Sequence, residues 1–282
     1  IIPNLGFRNL TLKNEVFGQF SLDVIEQYSS DTYGLLETLE YTFTEHLYGN
    51  LGIKLYRESV FDVNSAAVID LDDERSFYYT DLVTGIRYDK RDSVLNPREG
   101  FQVSFDTSYS PKALGSDREF IMTSLSGSYI YSFFDSFVLT NGFVARDIRS
   151  LTGNKVIPLS KRYFLGGRNS LRGFARNEVG PVSSSDVVTG GDHSLFLSSE
   201  IRYHVIGNIA LFTFVDMGVV GLREKGQFDG QFSNISDYKY SPGFGIQYIT
   251  PVGPLSLDIA FPQKKRESDD SYRINFGIGG RF

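Results

Sequence analysis

Hydrophobic and polar residues alternate along most of this chain with a period of two. Between Phe101 and Tyr109, every second residue is aromatic, aliphatic or threonine, and the residues between them are polar. Successive side chains of a β-strand point to opposite faces, whereas an amphipathic helix needs an apolar residue every three or four positions. No window of about eleven residues carries a convincing helical stripe. The pattern therefore predicts an all-β protein.

The alternation divides the chain into thirteen candidate strands. The first two are separated by a predicted tight connection at 14–18, where Asn, Glu and Gly interrupt the apolar residues. The predicted strands cover residues 7–13, 19–28, 33–43, 49–61, 77–89, 101–109, 120–133, 136–148, 195–205, 209–220, 240–250, 255–261 and 272–282.

Charged residues on one face of a predicted strand separate the two main all-β architectures. The strand over 195–205 carries Glu200, Arg202 and His204 in a row on one face. The core of a soluble sandwich does not accept such a row, because a buried charge without a partner is costly. A transmembrane barrel accepts it in its lumen and needs apolar residues only at every second, lipid-facing position. We therefore expect a transmembrane antiparallel β-barrel.

Composition mainly excludes other classes of protein. The 282 residues carry a net charge of −6, with 24 Phe, 17 Tyr, no Cys and no Trp. No run approaches the ~18 apolar residues of a transmembrane helix. The negative balance argues against nucleic acid as a partner. The absence of cysteine fits an oxidising compartment without disulfides but decides nothing by itself.

Candidate catalytic residues are few. The three histidines are His46, His193 and His204, and no G-x-S-x-G elbow or metal-spaced histidine pair occurs. His193 lies between Asp192 and Ser194, but this is adjacency along the chain, whereas a triad needs convergence in space. An acidic stretch at 70–74 is expected to be a solvated loop. We expect no enzyme activity, no metal site and no cofactor.

The longest interval without a strand pattern covers residues 152–192. Loops longer than about 15 residues are usually functional or disordered. The central segment, 161–181, reads KRYFLGGRNSLRGFARNEVGP, and its aromatic and paired glycine residues argue against disorder. Paired glycines let the backbone turn. The arginine of the L-R-G-F run offers five donors in a rigid fork that suits a carboxylate.

This segment resembles the signature loop of the BamA/TamA-type outer-membrane assembly superfamily, which includes the two-partner secretion translocators and organelle relatives. In that family a V/I/L-R-G-F/Y loop folds back into the barrel lumen. A second segment, YDKRDSVLNPREGF at 88–101, resembles the family's D-x-R-D-x-x-x-x-P-x-x-G turn at the periplasmic end of the barrel. The matching loop residues are Phe164, Gly166, Gly167, Leu171, Arg172, Gly173 and Phe174, followed by Gly180 and Pro181.

The resemblance also implies partners for the loop arginine. Asp216 lies in FTFVDMGVV, which matches the family's F-x-D-x-G strand, whose aspartate receives the arginine. Glu200, in LSSEIRYHV, matches a second family position. Neighbouring strands would bring both carboxylates within reach of Arg172, and a buried arginine is tolerable only when paired. The alternative is a generic polar lumen of the kind that any porin has.

The family fold implies sixteen strands preceded by soluble POTRA domains. Residues 1–282 would then form a single barrel domain, without the POTRA domains and without about the first three strands. Bacterial barrels have an even number of strands, so a count of thirteen requires a missing or miscounted strand. A native twelve-stranded barrel, in which 7–13 is not a membrane strand, is the alternative that the sequence leaves open.

The last predicted strand resembles the β-signal of outer-membrane proteins. Asn275, Gly277 and Phe282 fit that signal, whereas Gly280 stands where a penultimate hydrophobic residue is expected. Together with Gly279, the glycines leave little side-chain packing, and glycines weaken a strand interior. They predict a weak lateral seam between the first and last strands, open to exchange with another strand.

The resemblance implies a non-enzymatic factor that inserts proteins into the bacterial outer membrane through this seam. Its expected partners are unfolded outer-membrane protein clients, outer-membrane lipids and periplasmic accessory proteins. The alternatives are a two-partner-secretion-type translocator, which passes an unfolded exoprotein through its lumen, and a passive porin. The sequence encoded upstream of Ile1 would distinguish the three, with several POTRA domains, two, or none.

Overall fold

The structure is a computed structural model that describes residues 2–3, 9–21, 28–63, 75–152, 157–223, 237–251 and 253–281. Thirteen strands form one antiparallel sheet in which each strand pairs with the next along the chain, as the all-β prediction requires. Among the described residues, no helix is long and apolar enough to cross a membrane. The strands are β1 (Ile2–Pro3), β2 (Leu10–Ser21), β3 (Ser29–Thr42), β4 (Leu47–Phe61), β5 (Ser76–Asp89), β6 (Gly100–Ser110), β7 (Phe120–Phe133), β8 (Phe137–Ser150), β9 (His193–Ile206), β10 (Ile209–Gly221), β11 (Lys239–Thr250), β12 (Gly253–Ala260) and β13 (Arg273–Ile278).

The two faces of the sheet meet different surroundings, as the period-two pattern predicts. On β6 the apolar row is exposed, and Phe105 keeps 44% of its surface accessible. Similar rows of exposed large hydrophobic side chains continue on both sides, from Val16 on β2 to Ile274 on β13. Such a band is stable only against lipid, because water would penalise so large an apolar patch. The outer face is therefore the membrane-facing face.

An aromatic row marks one border of this band. We call the end of the sheet that carries the short connections the turn end, and the opposite end the loop end. At the turn end the rings of Phe133 and Phe137 stack at 5.3 Å, and those of Phe137 and Tyr203 at 4.7 Å between centroids. Aromatic residues concentrate where the apolar band of a barrel meets the lipid headgroups.

The predicted connection at 14–18 is wrong. These residues lie inside β2, which pairs continuously with β3 from Leu10 to Ser21. Asn, Glu and Gly resemble turn residues, but every one of them is paired in register with a β3 residue. Lys13 adds an ion pair to Glu40 across the two strands at 2.7 Å. The rest of the second predicted strand, 22–27, lies outside the described residues, as does the acidic stretch at 70–74.

Merging the first two predicted strands changes the strand count. Twelve strands of six to fifteen residues remain, and the thirteenth, β1, is a two-residue pairing with β2. In the part of the chain that the structure describes, β13 pairs with β12 alone and no ladder joins it to β1 or β2. Within the described residues, no ladder therefore closes the sheet between β13 and β1 or β2.

The connection between β8 and β9 packs against the inner face of the sheet. We call its residues 157–192 the lumen loop. Its apolar side chains pack on the inner faces of the strands in two clusters. The first joins Ile157 to Tyr56, Phe77, Tyr79, Phe120 and Ile148, and the second joins Leu165, Leu171, Phe174 and Val179 to Phe196 and Val220.

Candidate functional site

The lumen loop begins with an ion pair that the sequence analysis did not identify. A single 3-10 turn, Leu159–Lys161, places the Lys161 ammonium 3.0 Å from the Glu58 carboxylate, which also accepts a hydrogen bond from the Ser160 hydroxyl at 2.9 Å. Burial alone would lower the pKa of Lys161, but the charge of Glu58 outweighs it and the net effect raises that pKa. The sequence contains a sign of this ion pair, because the charged residue Glu58 lies between Tyr56 and Val60 in the apolar row on the inner face of β4.

Two glycines then turn the chain back toward β9 and β10. Gly166 and Gly167 have φ of 110° and 87°, values that side chains rarely allow. The turn closes on itself: the Gly167 amide donates to the Phe174 carbonyl at 2.9 Å, and the Ser170 hydroxyl accepts from the Gly166 amide at 2.8 Å. The paired glycines of the motif therefore form a tight turn that presents the residues between them.

Arg172 lies at the centre of the site. Its Nε and Nη2 donate to the two carboxylate oxygens of Asp216 at 2.8 and 2.9 Å, and its Nη1 donates to Glu200 at 3.0 Å. The guanidinium also stacks on the Phe214 ring, and the Arg172 side chain is 2% exposed. Burial alone would lower the pKa of Arg172, but Asp216 and then Glu200 outweigh it and the net effect raises that pKa. The three residues proposed from the motif are thus brought together.

The other motif residues support this arrangement by packing. Leu171 and Phe174 flank the arginine and are fully buried. Gly173 passes close to β11 and β12, where a side chain would collide with Ser241 and with the backbone of Pro262. Phe164 lies against Gly190, near the end of the loop. Leu171, Gly173 and Phe174 are thus packed beside Arg172, whereas Phe164 packs near the end of the loop.

Asp216 has two further partners that the motif did not indicate. The Ser198 hydroxyl donates to it at 2.7 Å, and Arg281, near the end of the chain, donates to the same oxygen at 3.0 Å. Asp216 itself has no exposed surface. This one carboxylate therefore holds both the lumen loop and the residues that follow β13.

The glycines of the terminal strand have a different role from the predicted one. Gly277 does not leave a gap, because the Arg168 guanidinium of the lumen loop lies where a Gly277 side chain would stand. Gly279 and Gly280 are not strand residues: β13 ends at Ile278, and Gly279 has φ of 85°. Asn275 points inward and donates to the Arg172 carbonyl at 3.2 Å. Phe282 lies outside the described residues.

The aspartates of the D-x-R-D turn stabilise it by accepting hydrogen bonds from other residues of the same turn. Asp89 accepts from Arg91 at 2.9 Å, and Asp92 accepts from the backbone amides of Arg98 and Glu99 at 2.9 and 3.2 Å. The turn also reaches the lumen, since Arg202 donates to the Pro97 carbonyl at 3.0 Å. Residues 90–99 therefore approach the site from the turn end, opposite the lumen loop.

The candidate catalytic trio at the start of β9 has no triad geometry. His193 and Asp192 contact each other at 2.6 Å, and the Arg223 amide donates to Asp192 at 3.1 Å. Ser194 follows His193 directly in a strand, where neighbouring side chains point to opposite faces. These contacts hold the last residue of the lumen loop beside the start of β9.

The sequence matches a known family of protein domains and several curated relatives. The model of the Omp85 superfamily domain matches residues 3–282. The outer membrane protein assembly factor BamA of Neisseria meningitidis serogroup B is 22% identical over 92% of this chain and 37% of its own length. The BamA of Nitratidesulfovibrio vulgaris is 23% identical over 99% of this chain and 35% of its own length. The chain thus spans little more than a third of these curated relatives.

Solved structures show the same fold. BamA from Haemophilus ducreyi lacking POTRA domains 1–3 superposes with a TM-score of 0.80 at 22% identity, over 96% of this chain and 58% of that one. CdiB from Acinetobacter baumannii superposes with a TM-score of 0.55 at 14% identity, over 96% of this chain and 46% of that one.

Proposed function

Because the chain belongs to the Omp85 superfamily, we propose that it is the barrel of an outer-membrane protein assembly factor that inserts other β-barrel proteins. Membership confirms the superfamily predicted from the loop motif, and it confirms the outer membrane as the location. The finer proposal is that clients enter at β13. The clients are unfolded outer-membrane proteins, and lipids and periplasmic accessory proteins are the other partners.

The observation that carries this proposal is the short ladder that holds β13 to β12. Its ladder with β12 covers six residue pairs, fewer than any other ladder between the described strands except the two-residue pairing of β1 with β2. Its outer side chains, Ile274, Phe276 and Ile278, are about two-thirds exposed. A strand held by few backbone hydrogen bonds can open from its neighbours, and an open edge is a template for another strand. Strand addition works through backbone hydrogen bonds, so insertion here needs no catalytic side chain.

The lumen loop favours insertion at the edge over passage through the lumen. Lys161 holds the loop to β4, and Arg172 holds it to β9 and β10, both through buried ion pairs. A translocator or a diffusion porin would need this segment to leave the lumen or to let solutes pass it. Breaking a buried pair typically costs about 3 to 5 kcal/mol. The geometry therefore supports the assembly factor better than either alternative.

We expect a photo-crosslinking residue at Ile274 or Phe276 of the complete protein, expressed in living cells, to capture unfolded barrel precursors. These outward positions lie on the strand where a client's terminal strand would pair. The matched control is Phe105, an outward aromatic residue in the middle of the wall, which should capture none. Recovery of crosslinks to the protein's own strands alone, while clients accumulate, would contradict insertion at β13 and favour the translocator.

A further inference from the structure

The chain beyond β13 turns inward and meets the lumen loop. The Gly279 amide still donates to the β12 carbonyl of Pro254 at 2.8 Å, but the left-handed backbone of Gly279 then directs the chain away from the sheet. Arg281 enters the lumen, where its side chain is 10% exposed. It donates to the Ser170 carbonyl at 2.5 Å and to Asp216 at 3.0 Å.

The lumen loop reaches back to the same strand. Arg168 donates to the Gly279 carbonyl at 3.2 Å, and its guanidinium covers the inner side of Gly277. Asn275 donates to the Arg172 carbonyl at 3.2 Å and to Asp258 of β12 at 2.9 Å. Three consecutive inward positions of the terminal segment thus contact the loop, and the contacts run in both directions.

Arg172 and Arg281 share one carboxylate, and this couples the loop to the strand. Asp216 is fully buried and accepts hydrogen bonds from both guanidiniums, so its charge compensates part of the charge of each. If the loop moved out of the lumen, Ser170, Arg168 and the Arg172 carbonyl would leave with it. The end of β13 would then lose its inner contacts while its ladder with β12 remained.

We propose that Arg168 and Arg281 are positioning residues that fasten the terminal segment to the lumen loop, so that the loop sets how freely β13 offers its outer edge. We call these contacts the loop–strand clasp. The inference rests on the proposed function only in assigning clients to that edge. The clasp itself is a property of the barrel: β13 is held from the inside, and its backbone opens more often when the clasp is removed.

Hydrogen exchange of the complete protein in lipid nanodiscs tests the clasp without any client. We expect Arg168→Gln combined with Arg281→Gln to speed amide exchange in β13 by about tenfold or more, because fewer contacts oppose local opening. The lumen loop should stay protected, since Arg172, Glu200 and Asp216 are intact. Arg149→Gln is the matched control, because Arg149 pairs with Asp147 at the exposed end of β8.

Two readouts separate the clasp from the proposed function. Unchanged exchange in β13 overturns the clasp, whatever the crosslinking at Ile274 shows. Faster exchange without client crosslinks in parent or variant supports the clasp and contradicts the proposed function. Should the double variant fail to fold, Arg168→Gln alone decides the question. Arg168 contacts Gly277 and the Gly279 carbonyl, and its replacement leaves Asp216 with both of its arginine partners.

Discussion

Asp216→Asn is expected to destabilise the barrel more than any other single lumen substitution. The change keeps the shape of the side chain but removes the charge that Arg172 and Arg281 share. Leaving a buried charge without its partner typically costs about 3 to 5 kcal/mol. Here two guanidiniums are affected at once, and Glu200, which bonds only one of them in this site, is 21% exposed.

Unfolding by denaturant in lipid, together with protease digestion of the lumen loop, measures this effect. Asp106→Asn is the control, because Asp106 is an exposed lumen residue and exposed interactions are worth about 1 kcal/mol or less. Arg172→Ala should release the loop to external protease as Asp216→Asn does. Equal unfolding midpoints and equal protease protection for Asp216→Asn and Asp106→Asn would contradict the central role of Asp216.

Exchanging the charges of Arg172 and Asp216 is not expected to restore the stability that either single change removes. In the double change Arg172→Asp with Asp216→Arg, the new arginine would face Arg281 and the new aspartate would face Glu200. Like charges at such distances repel. The pairing of Arg172 with Asp216 alone would predict rescue by the swap, whereas the four-residue network does not. The second arginine therefore changes how the pair has to be tested.

Phe105→Lys is expected to cost roughly 2 to 4 kcal/mol when the protein is folded in a bilayer, because Phe105 faces lipid near the middle of β6. The neighbouring change Ser104→Lys should cost little. Ser104 faces the lumen beside Asp106, to which its hydroxyl donates at 2.7 Å. The two positions differ by one residue in the same strand, so secondary structure and chain position are matched.

Folding yield and unfolding midpoint of both variants in lipid vesicles measure this difference. The assignment of faces predicts a large loss at Phe105 and a small one at Ser104. Equal losses at the two positions would indicate that both faces of β6 are buried in protein, as in a sandwich. A larger loss at Ser104 would reverse the assignment of the membrane-facing side.

The sequence predicted most of the sheet because lipid on one side and a polar lumen on the other enforce alternation. It failed at 14–18, where polar residues of β2 resemble a turn although each is paired with β3. Local composition cannot separate these cases, because strand pairing depends on a partner elsewhere in the chain. Lys161 was likewise missed as an anchor, since its partner Glu58 lies more than a hundred residues away.

The candidate site, like the sheet, was predicted only in part. The L-R-G-F run and the aspartate strand indicated Arg172, Glu200 and Asp216, since the family resemblance assigns them to one another. The role of Gly277 could not be predicted, because a glycine in a strand equally indicates weak packing or the close approach of another group. The structure shows the close approach of another group, because the Arg168 guanidinium lies over Gly277. The contact of Arg281 with Asp216 could not be predicted either, because it needs the inward turn at Gly279.

The most direct test of the account is a reconstituted insertion assay. The complete protein is placed in liposomes, a urea-denatured outer-membrane barrel protein is added, and its folding is followed by heat-modifiable migration on gels. The account predicts faster client folding than in empty liposomes, and a loss of that acceleration in Asp216→Asn but not in Arg149→Gln. Equal client folding rates in the presence and absence of the protein would contradict the proposed function.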